Sequence, residues 1–285
     1  RELTKHTRDW KQVFDYGPPD GGAIVPQLPR ELPRFGSAIA RFYAECDALA
    51  FELVEVIAGN LGTPPGALDS CFRPDHTSFL RLNYYPQCPM PADVAMPGAG
   101  HLGVNPHTDS GALTLLLQDD QPGLEVLHDG AWHLVEPRRD ALVVNIGDIV
   151  QVWSNDRYTA ALHRGLVSAE AERFSAPFFF NPAYRTWYAP LLSTVDAEHP
   201  ARYRPIHWGE FRARRTAPRH PPQLRPTFPT GPTTRWSGVR AKTASRPTRS
   251  TPAMAAMCPS FRTWREAAIA WPWRGPPRGR SRNPS

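Results

Sequence analysis

The chain of 285 residues is long enough for one large domain or two average ones, and its 41% hydrophobic content suffices for a sizeable core. It has no run of 18 apolar residues and no signal-peptide pattern at its start, which argues against a transmembrane or secreted protein. Its four cysteines have neither metal-site nor disulfide spacing, so we expect reduced thiols and a cytoplasmic location.

The formal net charge of +6 is distributed unevenly. Residues 216–285 carry 12 Arg and one Lys against the single acid Glu266, a balance of +12, so residues 1–215 carry −6. The tail also contains 13 of the 33 prolines, a composition typical of disorder. One hypothesis for the origin of this tail is translation in a shifted reading frame. The alternative is that the tail is a basic arm that binds nucleic acid or membranes. Because no nucleic-acid recognition module accompanies the tail, we expect neither partner.

The N-terminal part of the chain predicts helical structure. Apolar residues recur at three- and four-residue steps between Leu32 and Leu61, including Phe35, Ile39 and Ile57, as on one face of a helix. Glycines at positions 59 and 62 are expected to end that helix. We therefore expect residues 1–75 to form a partial helical region that packs on the following domain.

From Ser78 onward the pattern changes to short apolar runs separated by turn residues. The tripeptide His128-Asp129-Gly130 is typical of a hairpin connection. Many short strands with close turns predict a mainly β domain over residues 76–215, an antiparallel barrel or jelly roll. We expect strands at FLRLNYY, ALTLLL, LEVL, WHLVEP, ALVVNI, IVQVWS, HRGLVS and FSAPFFF.

The segment GVNPHTDSGALTLLL contains the first candidate metal ligands. His107 and Asp109 lie two residues apart at the start of a predicted strand and therefore point to one face. His163 lies 54 residues beyond Asp109 in another strand-like segment that could return beside them. Two histidines and one carboxylate on one face leave positions open on a metal, the arrangement of non-haem iron(II) oxygenases.

A second motif follows ten residues after His163. Arg173 and Ser175 in RFSAPFFF share one strand face, and a guanidinium with a neighbouring hydroxyl can bind a carboxylate. Each motif alone is weak, because surface turns often contain His-x-Asp and Arg173 could be a solvated charge. Their combination, in this order and at these spacings, favours a functional site.

At these residues the sequence closely resembles the iron(II)- and 2-oxoglutarate-dependent dioxygenases of the isopenicillin N synthase-like family, which includes many plant oxidases and hydroxylases. The blocks run from RELTKHTRDWKQVFDYG through SFLRLNYYPQCP and ERFSAPFFFNPAY to YRPIHWGEF, about three quarters of the chain. The family usually has a further segment before the first block and a short ordered one after the last. The resemblance therefore implies an N-terminally truncated member with an atypical tail.

The resemblance implies a double-stranded β-helix, or jelly roll, with flanking helices. It implies Fe(II) bound by His107, Asp109 and His163, and 2-oxoglutarate as co-substrate, its far carboxylate held by Arg173 and Ser175. Dioxygen would be the oxidant and ascorbate the reductant. Two further positions are implied to contact the oxo acid, namely Tyr85, which could equally be a core aromatic, and Asn83 beside its iron-proximal end.

The expected reaction is oxidation of a small organic molecule, a hydroxylation or desaturation, coupled to decarboxylation of 2-oxoglutarate to succinate. Phe179 shares a strand face with Arg173 and Ser175, so it is a candidate for substrate contact, with ordinary core packing as the alternative. The functional alternatives are an oxidase that uses the same iron site without 2-oxoglutarate, and an inactive member that binds ligands without turnover. We expect a monomer with a small-molecule substrate.

Overall fold

The computed structural model describes residues 8–18, 24, 27–92 and 100–216. The predictions about the basic tail, its disorder and its shifted reading frame, apply to residues outside these ranges. Cys258 also lies outside them. Cys46, Cys71 and Cys88 are free thiols, as expected from their spacing. None of the helices in the described ranges is long and apolar enough to cross a membrane.

The described part of the chain is mainly β, with helices on one side. It contains four α-helices, α1 Pro33–Asn60, α2 Asp69–Phe72, α3 Asp148–Trp153 and α4 Trp208–Thr216, and a short 3-10 helix at Leu192–Thr194. The strands of the same part are β1 Gln12–Tyr16, β2 Phe79–Tyr85, β3 Val104–His107, β4 Leu113–Gln118, β5 Leu124–His128, β6 Ala131–Val135, β7 Val143–Ile146, β8 His163–Gly165, β9 Arg173–Phe180, β10 Trp187–Tyr188 and β11 Ile206–His207.

Two antiparallel sheets form the jelly roll. The larger has the order β1-β2-β9-β4-β7 and the smaller the order β3-β8-β5-β6, while β10 and β11 pair separately. Strands distant in sequence are therefore neighbours in each sheet, which is what brings residues 83, 107 and 173 into one region. A cavity lies between the sheets and is lined by residues of both. The predicted fold class is confirmed.

The central strands of the larger sheet have two chemically different faces. Leu80 of β2, Leu115 of β4 and Phe178 of β9 occupy one face and are fully buried in the core. The alternate residues Asn83 and Ser175 lie on the other face and line the cavity. Because successive side chains of a strand point to opposite faces, one sheet supplies both the core and the cavity wall.

Helix α1 covers the apolar face of this sheet and confirms the predicted amphipathic helix. Tyr43 contacts Phe178 edge-on, with ring centroids 5.1 Å apart, and Phe51 contacts Phe180 at 5.0 Å. The backbone N–H of Leu61 closes the last turn. The buried residues of the helix recur at three- and four-residue steps: Ile39, Tyr43, Cys46, Ala50, Val54 and Ala58.

The segment IVQVWS is a helix, so its predicted strand is wrong. Helix α3 begins after Gly147, carries the acid Asp148 in its first turn, and buries Ile149, Val150 and Trp153. A carboxylate at a helix N-terminus interacts favourably with the backbone N–H groups there. A short apolar run buried on every side shows no helical periodicity, which is why the sequence pattern could not distinguish this helix from a strand.

A strand near the N-terminus also lay outside the sequence prediction. Residues 12–16 form β1, which pairs antiparallel with β2 at the edge of the larger sheet. The region before residue 76 therefore contributes a strand to the sheet as well as helices. The expected hairpin at residues 128–130 is confirmed, because it joins β5 to β6 with Asp129 and Gly130 both at positive φ.

Replacement of Phe180 by alanine is expected to lower the free energy of unfolding by about 3–5 kcal/mol, because the change leaves a cavity in the core. Its ring is fully buried and stacks on Phe72 at 4.3 Å. Urea denaturation measures the effect. The control Leu192→Ala removes a side chain that is 93% exposed and should change stability by less than about 0.5 kcal/mol. Equal losses in the two variants would contradict this description of the core.

Candidate active site

Three side chains with metal-binding atoms meet in the cavity. His107 ends β3, Asp109 follows two residues later, and His163 begins β8. The β3–β8 ladder pairs His107 with His163, and their ring centroids are 4.3 Å apart. Asp109 Oδ1 lies 3.6 Å from Nε2 of His107 and 3.8 Å from Nε2 of His163. The structure thus brings together the three residues selected from the sequence.

Backbone carbonyl groups orient both imidazole rings. Nδ1 of His107 lies 2.7 Å from the carbonyl oxygen of Asn105, and Nδ1 of His163 lies 3.0 Å from that of Ala161. A carbonyl oxygen can only accept a hydrogen bond, so Nδ1 carries the proton in each neutral ring. The Nε2 lone pairs, which face Asp109, are therefore left for a metal ion.

Asp109 is held by a cross-strand pair of polar residues. Its side chain is buried, and its Oδ2 accepts hydrogen bonds from Thr114 Oγ1 and Asn145 Nδ2, each at 2.7 Å. Thr114 of β4 and Asn145 of β7 are direct partners in the ladder. The sequence analysis missed both, although each is a polar residue within an apolar run, ALTLLL and ALVVNI. Their bonds to Oδ2 leave Oδ1 directed toward the two imidazoles.

The donor set fits a ferrous ion. One ligand atom from each of the three side chains lies within 4.8 Å of the others. A closed structural zinc site has four protein ligands, whereas two histidines and one carboxylate leave positions open for oxygen-donor ligands. Within the described ranges, no other group of three His, Cys, Asp or Glu side chains has this spacing.

Four further residues selected from the sequence form a polar wall on β2 and β9. The register pairs Asn83 with Ser175 and Tyr85 with Arg173. Asn83 Nδ2 donates to Ser175 Oγ at 3.1 Å, and the Tyr85 hydroxyl lies 3.4 Å from the same oxygen. The polar wall is therefore internally hydrogen-bonded.

Arg173 brings a nearly buried positive charge to the polar wall, since it is only 5% exposed. Its guanidinium donates to the carbonyl of Gln121 and to Oε1 of Gln118, and lies 5.0 Å over the Tyr85 ring. Among the described residues it forms no ion pair with a carboxylate. Two of its five N–H donors are used in these bonds, and the others can form charge-assisted hydrogen bonds with a carboxylate. The polar wall therefore suits an anionic ligand such as the far carboxylate of an oxo acid.

Two partly buried carboxyl groups lie near the site. Burial raises the pKa of Asp119, whose carboxylate accepts the backbone N–H groups of Phe174 and Gln121. The positive charge of Arg173 partly opposes that rise in pKa. Burial also raises the pKa of Asp148, whose backbone N–H donates to the carbonyl of Asp109. For both groups the partial loss of contact with water disfavours the charged form.

The triad and the polar wall line one cavity that is open to solvent, with about 700 Å³ of empty space when its mouth is included. Phe179 lines it, whereas its neighbours Phe178 and Phe180 are buried in the core, as the strand alternation predicted. Lys11 and Arg81 also line it, and the sequence analysis missed both. Its apolar lining consists of Val104, Leu116, Leu124, Val126, Val143, Pro177 and Phe179.

The sequence matches a model of the 2OG-Fe(II) oxygenase superfamily over residues 76–182. Gibberellin 20 oxidase 1-B from Triticum aestivum is 36% identical over 205 residues, which are 70% of this chain and 54% of that protein. The chain thus spans about half the length of the curated relatives it matches. The matched residues 76–182 include the metal triad and the polar wall.

Two solved structures are similar in fold. The structure of JOX2 in complex with 2OG, Fe and JA has a TM-score of 0.62 and 31% identity, over 72% of this chain and 60% of that one. A 2OG-Fe(II) oxygenase family protein from Caulobacter crescentus has a TM-score of 0.61 and 30% identity, over 72% of this chain and 68% of that one. Sequence, fold and site geometry agree, and the chain belongs to the 2OG-Fe(II) oxygenase superfamily.

Proposed function

We propose that the protein is an Fe(II)- and 2-oxoglutarate-dependent dioxygenase that oxidises a small organic molecule while 2-oxoglutarate is converted to succinate and carbon dioxide. The observation that carries the proposal is that the triad of His107, Asp109 and His163 lines the same cavity as the buried cation Arg173. Membership of the superfamily supports it. Neither the site nor the relatives favour the alternatives of an oxidase independent of 2-oxoglutarate or an inactive ligand-binding member.

In this proposal His107 Nε2, Asp109 Oδ1 and His163 Nε2 hold the ferrous ion. The bound ion supplies the centre at which dioxygen is activated as the oxo acid loses carbon dioxide. Thr114 and Asn145 keep Oδ1 of Asp109 turned toward the two rings through their bonds to Oδ2. The carbonyl groups of Asn105 and Ala161 orient the two imidazoles in the same way. Because all three ligands are held in place before the ion binds, little reorganisation accompanies metal binding.

Arg173 and Ser175 bind the far carboxylate of 2-oxoglutarate. The guanidinium can donate two parallel hydrogen bonds to a carboxylate, and the Ser175 hydroxyl adds a third. Tyr85 lies beside both and adds a donor, while Asn83 braces Ser175 from the neighbouring strand. The polar wall thereby sets the distance of the oxo acid from the triad, which orients its other end toward the metal.

The rest of the cavity is proposed to bind the primary substrate. Its apolar lining suits a substrate with an apolar body in contact with Phe179. Phe79 lies beside Phe179 on the neighbouring strand, with ring centroids 4.9 Å apart. Arg81 lines the same cavity, with its guanidinium fixed by two bonds to Asp15 at 2.7 and 2.9 Å. A group that accepts hydrogen bonds, such as a carboxylate or carbonyl, is therefore expected on the substrate next to Arg81.

The cytoplasmic location and the monomeric state inferred from the sequence stay predictions. So does the division into a partial helical region over residues 1–75, a catalytic jelly roll over residues 76–215 and a basic tail from residue 216. The pairing of β1 with β2 supports an N-terminal region that folds together with the jelly roll. The absence of nucleic-acid and membrane partners likewise stays a prediction.

Succinate formation from 2-oxoglutarate is the direct test of the activity. The full chain, supplied with Fe(II), ascorbate, 2-oxoglutarate and oxygen, should form succinate slowly without a primary substrate. His163→Ala should abolish this turnover, because one imidazole and one carboxylate do not hold the metal well enough. Folded, iron-loaded wild-type protein that forms no succinate would contradict the proposal.

Arg173→Lys tests the role of the guanidinium. Lysine keeps the positive charge but lacks the paired N–H donors. We therefore expect the binding free energy of 2-oxoglutarate to weaken by about 2 kcal/mol, which corresponds to a roughly 30-fold rise in its KM. The control Arg185→Lys makes the same change at an exposed ion pair with Asp75 and should leave this KM unaltered. An unchanged KM in Arg173→Lys would show that the carboxylate binds elsewhere.

Phe179→Ala tests the substrate wall. A screen of small phenolic, terpenoid and alkaloid molecules for stimulated succinate release first identifies a substrate. The variant should raise the KM for that substrate about tenfold, since roughly 1.5 kcal/mol of apolar contact is lost. Uncoupled succinate formation and the KM for 2-oxoglutarate serve as internal controls and should stay the same. A substrate KM that does not change would place Phe179 outside the substrate site.

A further inference from the structure

A short segment before β1 lies against the edge of β3, the strand that ends in His107. The backbone N–H of Trp10 donates to the carbonyl of Leu102 at 2.8 Å, and the Trp10 ring lies 4.9 Å from that of His101. The neighbouring Asp9 side chain is only 9% exposed. This segment precedes the jelly roll in the chain, yet it contacts the strand that carries the first candidate metal ligand.

β3 is an edge strand with an irregular ladder. In the smaller sheet its single neighbour is β8, and the register shifts between Val104 and His107. An irregularity of this kind frees backbone groups from the ladder and changes the direction of the side chains that follow. Asn105 lies within it, so its backbone conformation has to be fixed by contacts from outside the sheet.

Asp9 supplies those contacts. Its Oδ1 accepts the backbone N–H of Asn105 at 3.1 Å and the side-chain Nδ2 of the same residue at 2.7 Å. Its Oδ2 lies 3.7 Å from the ammonium of Lys11, whose side chain is 8% exposed. Two bonds from one carboxylate to one residue restrict both the backbone and the side chain of Asn105, and a charged acceptor strengthens each bond.

The carbonyl of Asn105 is the group that orients His107. It accepts the Nδ1–H of that ring at 2.7 Å, the shorter of the two bonds that orient the candidate imidazole ligands. The carboxylate of Asp9, Asn105 and the imidazole of His107 thus form a continuous hydrogen-bonded series. Groups that orient a metal-binding histidine typically change metal affinity 10–100-fold when they are removed.

We infer that Asp9 is a positioning residue for His107, which acts through Asn105 to keep Nε2 directed at the metal position. This inference rests on the proposed metal site. The segment before the jelly roll would thereby contribute to metal affinity. The sequence does not reveal this role, because the segment is far from the triad along the chain. Asp9 touches neither metal nor substrate, so its effect should appear in metal binding before turnover begins.

The test is titration of the full-length protein with Co(II), monitored by the ligand-field absorption of the bound ion and independent of turnover. Asp9→Ala should weaken Co(II) binding about tenfold and alter the absorption spectrum. Asp9→Asn keeps an oxygen that can accept both bonds from Asn105 and should restore binding to within about threefold of wild type. If Asp9 only stabilised the fold, Asp9→Ala would not change the Co(II) absorption spectrum in a way that Asp9→Asn reverses.

Asp75→Ala is the control, because it removes an exposed carboxylate that pairs with Arg185 outside the cavity. Its Co(II) affinity should equal that of wild type.

Should Asp9→Ala fail to fold, Asn105→Ala replaces it. This variant loses the bond of 2.7 Å between the Asn105 side chain and Asp9, and it should weaken Co(II) binding severalfold. Unchanged affinity and spectrum in the folded Asp9 or Asn105 variant, or an equal loss in Asp75→Ala, would overturn the inference. Failure of wild type to bind Co(II) would instead reject the proposed metal site.

Discussion

The alternation of side chains across β2, β9 and β4 is the constraint on which the rest of the structure depends. One set of alternate residues, including Leu80, Leu115 and Phe178, packs against α1. The other set, including Asn83 and Ser175, lines the cavity. A shift of one residue in the register would exchange the two sets, with polar groups in the core and apolar groups at the site. The burial of the aromatic core therefore also determines where the polar wall lies.

The candidate metal centre adds a second constraint, because each of its three side chains is oriented by a neighbour. The two imidazoles donate to backbone carbonyls, and Asp109 accepts from Thr114 and Asn145. These orienting groups come from strands of both sheets and from the connections next to the ligands. The geometry of the site is thus a property of the assembled jelly roll, and the segment at residues 9–11 extends this dependence beyond it.

Much of this arrangement could be predicted from the sequence, for physical reasons. The alternation in RFSAPFFF places Arg173, Ser175 and Phe179 on one face, so local geometry is enough to group them. His107 and Asp109 are close because they are two residues apart, but the strand expected to begin at them is wrong, since β3 ends at His107. The amphipathic period likewise predicts helix α1, but of Phe35, Ile39 and Ile57 only Ile39 is fully buried, while the other two pack partly buried against the core. The roles of these residues at the site stay predictions, but the structure does bring them into one cavity.

The remaining features depend on long-range contacts that no local pattern contains. Thr114 and Asn145 act on Asp109 because β4 pairs with β7, and Asp9 reaches Asn105 because a chain segment folds back over an edge strand. Helix α3 was taken for a strand because its apolar residues are buried on all sides. In each case a contact with a distant part of the chain determines the structure around the residue. The residue type alone does not, because it occurs in several kinds of environment.

The most direct measurement of the central claim is a crystal structure of the protein with Mn(II) in place of Fe(II) and with 2-oxoglutarate, grown without oxygen. The account predicts the ion bound to His107 Nε2, Asp109 Oδ1 and His163 Nε2, with the far carboxylate of the oxo acid on the Arg173 guanidinium and the Ser175 hydroxyl. An ion bound without either histidine, or a carboxylate held away from Arg173, would contradict it.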